Sequence, residues 1–261
     1  MQLYEKSTHF ILELLQNADD NSYDCSNPTL NFTYTPGSLR VDSNEVGFSA
    51  SNVEAICSIQ ESTKRSTGYI GEKGIGFKSL FKVADIVWIS SRQYSFKFDK
   101  REPLGMITPT WASFPKPTIP KWTSFFLQLS VDYDEAELIQ ELLNFDITLL
   151  MFLKSIREIN IKVTQSDGKQ LTKKLLKTEE NEQDDIVTVL QDGPTSSRYL
   201  ICRHSAQGLP LEHKRMNASS SDMLLAFSII KASQEPQLGL QNVYAFLPIR
   251  KCGFKVREPN Q

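Results

Sequence analysis

Glycine is scarce in this chain, 12 in 261 residues, and histidine scarcer still, with three. The four cysteines, Cys25, Cys57, Cys202 and Cys252, lie far apart with no C-x-x-C pair. They read as reduced, buried or incidental thiols in an intracellular protein, cytoplasmic or nuclear. Excess charge of one sign is also missing. The formal net charge of −2 gives no bulk attraction to nucleic acid or to an anionic membrane. Long hydrophobic runs are absent, and the longest unbroken one, Leu149 to Leu153, is far too short to span a bilayer. There is no N-terminal apolar block of secretory type, so the Asn-x-Ser/Thr triplets at Asn31 and Asn217 read as chance. No internal repeat and no low-complexity block is present.

The hydrophobic content of 40% is enough for an ordinary globular core. Residues 6–20 read as an amphipathic helix, with Phe10, Ile11, Leu14, Leu15 and Ala18 on one face. Two strands, 29–35 and 38–42, flank the turn Pro36-Gly37. A short helix over 49–57 is capped by Ser49 or Ser51. Residues 58–70 form a polar loop, and a helix runs to about Val83. Strands follow at 86–91 and 94–99. Five prolines (Pro103, Pro109, Pro115, Pro117, Pro120) make 101–121 an irregular excursion. A strand at 123–130, helix in two pieces over 134–156, and an edge or surface strand at 157–164 complete the first part. Beyond 165 the pattern predicts strands over 169–203, interrupted by a solvated acidic loop from Glu179 to Asp185. A helix at 221–232 and a strand at 242–249 ending at Pro248 close the chain.

Three of the twelve glycines, Gly71, Gly74 and Gly76, fall within six positions, and an apolar helical pattern follows at once. Glycine lets the backbone approach an anion closely. A helix start adds free N–H groups and the positive end of the peptide dipoles. The simple phosphate motifs do not match. Walker A needs lysine directly after its last glycine, and Phe77 intervenes before Lys78. The Rossmann fingerprint and the protein-kinase loop have the order G-x-G-x-x-G, whereas this segment reads G-x-x-G-x-G.

On the first helix, Glu13, Asn17 and Asp20 share one side, bordering the apolar stripe. A carboxylate can orient and deprotonate a water. An amide oxygen one turn away is a hard ligand suited to Mg²⁺. Asp20 supports that shell or faces solvent. In Val41 to Phe48, an acidic or amide group followed by Gly47 could read an adenine edge, or be a plain loop. Lys64 could reach a phosphate as a point charge, and Thr123 opens a strand where its hydroxyl could bond a base or a water.

These four segments, in this order, resemble the GHKL ATPase superfamily, which includes gyrase, the 90-kDa heat-shock chaperones, histidine kinases and the MutL repair proteins. The block at 70–85 is similar to that of the chaperone branch. Gln-Asn-Ala-Asp-Asp-Asn at 16–21, Asn-Glu-Val-Gly-Phe at 44–48 and Gly-Tyr-Ile-Gly-Glu-Lys-Gly-Ile-Gly-Phe-Lys-Ser at 68–79 resemble more strongly a group of large eukaryotic proteins related to sacsin and NO VEIN. The resemblance is specific over about 9–130 and weak beyond 164, except at Tyr244-Ala-Phe-Leu-Pro-Ile249.

The resemblance implies roles at matching positions. Glu13 matches the water-activating glutamate, Asn17 the Mg²⁺ ligand, and Asp20 an acidic residue lining the site. Gly47 matches the adenine-side glycine. Gly71, Lys73, Gly74, Ile75, Gly76 and Phe77 match the phosphate-cradling turn, Lys64 a lid lysine, and Thr123 a base-contacting threonine. One departure stands out. Ser43 occupies the position of the usual adenine-binding aspartate, with Asp42 and Asn44 on either side. Glu45 replaces a glycine of the chaperone branch.

The implied fold is α+β, a two-layer GHKL sandwich with a mixed sheet over 1–164, followed by an incomplete second α+β unit over 165–261. The implied activity is slow Mg-dependent ATP hydrolysis coupled to closure of a lid at 58–76, in a chaperone-like or conformational-switch role. ATP, ADP and Mg²⁺ are the expected ligands, with a protein partner or a homodimer formed through the lid. No nucleic acid and no membrane are expected. The alternative is a non-hydrolysing nucleotide-sensing or protein-interaction module. Related proteins are longer, so a helix before the Glu13 segment and a downstream arginine or lysine are expected from outside this stretch.

Overall fold

A computed structural model describes residues 9–57, 75–182, 185–208, 220–229, 240–245 and 247–253. The chain divides into two compact units, Met1–Asp146 with Leu153–Leu175, and Ile147–Phe152 with Leu176–Gln261.

The first unit opens with α1 (His9–Asp19), whose stripe of Phe10, Ile11, Leu14, Leu15 and Ala18 is buried as its spacing predicts. Then come β1 (Thr29–Thr35), β2 (Ser38–Ser43), α2 (Ala50–Cys57), α3 (Ile75–Lys78) and a 3-10 turn, Ser79–Lys82. Next are β3 (Ala84–Ser91), β4 (Tyr94–Asp99), β5 (Thr110–Trp111), β6 (Thr123–Leu129), α4 (Glu135–Leu143) and β7 (Glu158–Thr164). Within this unit the strands lie in the order β7-β1-β2-β6-β3-β4-β5. The β1–β7 pair is parallel and the other pairs are antiparallel, so the fold is α+β on a mixed, mostly antiparallel sheet with few helices.

Strand alternation sets the core. Leu30, Phe32 and Tyr34 of β1, Leu39 and Val41 of β2, and Val87 and Ile89 of β3 are buried, with Phe96 and Phe98 of β4. Phe77 of α3 stands 5.3 Å from Phe98 and 6.0 Å from Phe81, ring centre to ring centre. This aromatic contact pins the segment after the glycine turn to the sheet. Ser49 caps α2: its Oγ accepts the Asn52 N–H, and Asn52 Oδ1 accepts the Ser49 N–H at 2.9 Å. Asp134 caps α4 by accepting the Glu137 N–H.

The Asp19 carboxylate, 3% exposed, accepts the backbone N–H groups of Lys154 (2.8 Å), Ser155 (2.8 Å) and Ile156 (2.9 Å). It therefore ties the end of α1 to the segment that leads into β7.

Several expectations are corrected. The 157–164 strand is not an edge. β7 pairs with β1, and β8 (Gln170–Glu182) flanks its other side after a turn at Asp167-Gly168. The acidic run is not simply a loop, because β8 extends through Glu182. Glu179 and Glu180 remain exposed, and Arg198 Nη1 meets Glu180 Oε2 at 2.6 Å.

In the second unit, β8 runs on beside β9 (Asp185–Asp192), β10 (Thr195–Gln207) and β11 (Ser220–Ile229). The helix expected at 221–232 is β11, paired antiparallel with β10 from Arg198↔Ile229 to Gln207↔Ser220. The strand expected at 242–249 is a hairpin of β12 (Leu240–Ala245) and β13 (Leu247–Gly253), so Pro248 lies inside a strand rather than ending one. A two-stranded ribbon tolerates this, because proline's missing N–H can face outward. From residue 170 onward every described element is a strand. Among the described residues no helix is long and apolar enough to cross a membrane.

Candidate functional site

One pocket in the first unit gathers residues from elements distant in sequence. Leu14, Asn17, Ala18 and Asn21 come from α1 and its end. Leu30, Val41, Ser43, Thr123 and Phe125 come from the sheet. Glu45 and Phe48 supply the turn after β2, Asn52, Ala55 and Ile56 come from α2, and Phe77 comes from α3. The walls are mostly apolar, and the polar groups are few and come from separate elements. That is the general character of a small-molecule site.

Four candidate residues meet at this pocket: Asn17, Ser43, Phe77 and Thr123. Strand alternation separates the three neighbours that could read a base. Ser43 lines the pocket. Asp42, one residue earlier, points to the opposite face, where it takes Arg40 Nε (2.8 Å) and the Ser124 hydroxyl (2.5 Å). Asn44 is used structurally, its Oδ1 accepting the Thr29 N–H at 2.7 Å and its Nδ2 donating to the Asn27 carbonyl.

Gly47, at φ +87°, has the left-handed backbone that favours glycine, and a Cβ there would meet Arg92 Cγ at 2.6 Å. Its neighbour Phe48 is on the pocket wall, and Gly47 itself is not. Glu13 lies one turn before Asn17 on α1 and is half-buried, off the pocket wall. Asp20 lies 4.0 Å from Lys154 Nζ. Ile75 and Gly76 open the backbone of α3. Lys64, Gly71, Lys73 and Gly74, with the expected lid and most of the glycine turn, lie outside the described residues.

Two hydroxyl chains back the pocket. Thr123 Oγ1 lies 2.6 Å from Ser91 Oγ, which accepts the Phe48 N–H at 2.8 Å. Ser43 Oγ lies 2.9 Å from the Tyr23 hydroxyl, which donates to the Ala18 carbonyl at 2.8 Å. Burial pushes the Tyr23 phenol well above its ordinary pKa. Sequence reasoning missed Tyr23, since a tyrosine in a turn has no periodicity to mark it. It also missed Asp19, although a signal existed. Asp19 falls four residues after Leu15 on the apolar face of α1, where a carboxylate requires partners.

Magnesium can be tested against these residues. Among the described residues no group of three or more His, Cys, Asp and Glu side chains could hold a metal. A cage of protein ligands is therefore not offered there. Mg²⁺ commonly keeps its waters and binds substrate phosphates with one or two protein oxygens, a demand that the Asn17 amide on the pocket wall can meet.

The chain is similar to Protein NO VEIN of Arabidopsis thaliana. The two are 50% identical over 112 residues, which is 42% of this chain and 4% of that protein. The likeness supports the NO VEIN-like group that the motifs at 16–21, 44–48 and 68–79 suggest. The chain spans only a few per cent of that relative's length. No protein-family model matches the chain.

Proposed function

We propose that the first unit is a GHKL-type two-layer sandwich that binds ATP with Mg²⁺ and hydrolyses it slowly, in a chaperone-like or conformational-switch role. The observation that carries the reading is the meeting of Asn17, Ser43, Phe77 and Thr123 in one largely apolar pocket. These residues belong to the four separate segments whose order resembles that superfamily.

In this reading the base lies against Leu14, Val41, Phe48 and Phe125, with Ser43 and Thr123 at its polar edge. Asn17 would hold Mg²⁺, which when bound supplies positive charge to the phosphate oxygens. Glu13, one helical turn before Asn17, would orient a water and accept its proton. The glycines at 71–76 would supply backbone N–H donors to the phosphates.

Thermal unfolding with Mg-ATP, Mg-ADP and Mg-GTP, on wild type and Asn17→Ala, tests this. Ligand a hundredfold above its dissociation constant stabilises by ~2.7 kcal/mol. The expected result is a shift with adenine nucleotides that Asn17→Ala removes. No shift with any nucleotide overturns the reading. A shift without turnover leaves a nucleotide-sensing module, the alternative role.

A further inference from the structure

Two hydrogen bonds fix the direction of one hydroxyl proton at the pocket wall. The Tyr23 hydroxyl contacts the Ala18 carbonyl oxygen at 2.8 Å and Ser43 Oγ at 2.9 Å. A carbonyl oxygen can only accept, so the single phenol proton is used on Ala18. Ser43 must then be the donor in the second contact. Burial keeps the Tyr23 phenol protonated through the physiological range, which holds this direction in place.

The consequence reaches into the pocket. Ser43 lines it while Tyr23 stands behind it. With its only proton turned toward Tyr23, Ser43 presents lone pairs to whatever enters. Glu45, 4% exposed, borders the same pocket and adds a second oxygen-bearing side chain to that wall. Thr123 is not fixed in the same way. Its partner Ser91 receives the Phe48 N–H but keeps its own proton, so either hydroxyl of that pair can be the donor. Thr123 can therefore adapt to a donor or an acceptor, and discrimination falls on Ser43.

We infer that Tyr23 is a positioning residue that determines specificity. By taking the Ser43 proton it makes Ser43 an obligate acceptor, and the pocket thereby selects a base carrying an exocyclic amine over the same base carrying an oxo group. An amine N–H completes the Ser43 lone pair, whereas an oxo oxygen is set against it and both acceptors are left unmatched. The inference rests on the reading of this pocket as a nucleotide site.

The test is competition binding of Mg-ATP and Mg-ITP, which differ in the amine or oxo group at one ring position and the proton on the adjoining nitrogen. Wild type is expected to prefer ATP by roughly tenfold or more, since a mismatched buried acceptor costs on that scale. Tyr23→Phe keeps the ring and frees the Ser43 proton. ATP binding should change little, ITP binding should improve, and the preference should fall toward unity. Ser43→Ala should lower the preference as well. Ser43→Asp accepts whatever Tyr23 does, so it should hold the preference in the Tyr23→Phe background. A merely structural role for Tyr23 would weaken both ligands together and leave their ratio unmoved. An undiminished ratio in Tyr23→Phe, or in Ser43→Ala if Tyr23→Phe does not fold, overturns the inference and leaves the nucleotide site standing. No binding of either nucleotide to wild type overturns the site itself, and the inference with it.

Discussion

Asp19 and Ile156 are joined by a hydrogen bond across 137 residues of chain, the Ile156 N–H donating to Asp19 Oδ1 at 2.9 Å. The same carboxylate takes the N–H groups of Lys154 and Ser155. Asn17 and Ala18, which line the pocket, immediately precede this anchor on α1. The position of the pocket wall thus depends on a buried anion that never touches the pocket.

Asp19→Ala is expected to destabilise the fold by about 2–3 kcal/mol, because three backbone N–H groups, that of Ile156 buried and those of Lys154 and Ser155 part-buried, lose a charged acceptor. Asp19→Asn keeps one acceptor oxygen and should cost less. Urea unfolding measures both. A loss below about 0.5 kcal/mol, ordinary for a surface change, would show that the anchor is dispensable.

Gly47→Ala combines a positive φ with a Cβ placed 2.6 Å from Arg92 Cγ. The expected cost is about 1–3 kcal/mol. Arg92→Ala should relieve the steric part but not the backbone part, so the double variant should be more stable than the two separate losses predict. Simple additivity would count against the Arg92 contact as a cause.

Acid should act on the Asp99 site. Its side-chain hydrogen bonds to Arg101 hold the carboxyl at about 2, below the ordinary 3.8. A carboxyl lowered in the folded state contributes stability that is present above its unfolded pKa and lost as pH falls through the folded value. The Asp99 contribution should therefore disappear between about pH 4 and pH 2. Arg101→Gln should abolish that part of the acid dependence while leaving the pH 7 fold intact. The fluorescence midpoint followed against pH separates these outcomes.

Glu13→Ala should keep the stabilisation by Mg-ATP and lose turnover about a hundredfold or more, the usual scale for a general base. Single-turnover phosphate release measures this. Equal turnover in wild type and variant would remove Glu13 from the proposed chemistry.

Much of the first unit was legible because its elements are strictly periodic. The α1 stripe and the alternation of β1, β2 and β7 leave one arrangement for each segment. Residues 223–230 are almost uniformly apolar, so neither a 3.6 nor a 2.0 period stands out, and only the pairing with β10 makes β11 a strand. At the pocket, spacing pointed to Asn17, and the resemblance pointed to the Ser43 position and Thr123. Which of Asp42, Ser43 and Asn44 faces inward was not legible. A strand shows alternate residues to opposite faces, and the phase of that alternation is set by neighbours distant in sequence. Tyr23 was invisible for a related reason. Its two hydrogen-bond partners, the Ala18 carbonyl and the Ser43 hydroxyl, come together at Tyr23 only after folding.

The Asp19 anchor also has a consequence for the order in which the molecule is made. Its three donors emerge about 135 residues after the acceptor, and β1 waits as long for its parallel partner β7. Until that stretch leaves the ribosome, the first helix carries a buried-type carboxylate with nothing to receive. The α1 wall of the pocket therefore gains its anchor only after residues 154–156 have been made.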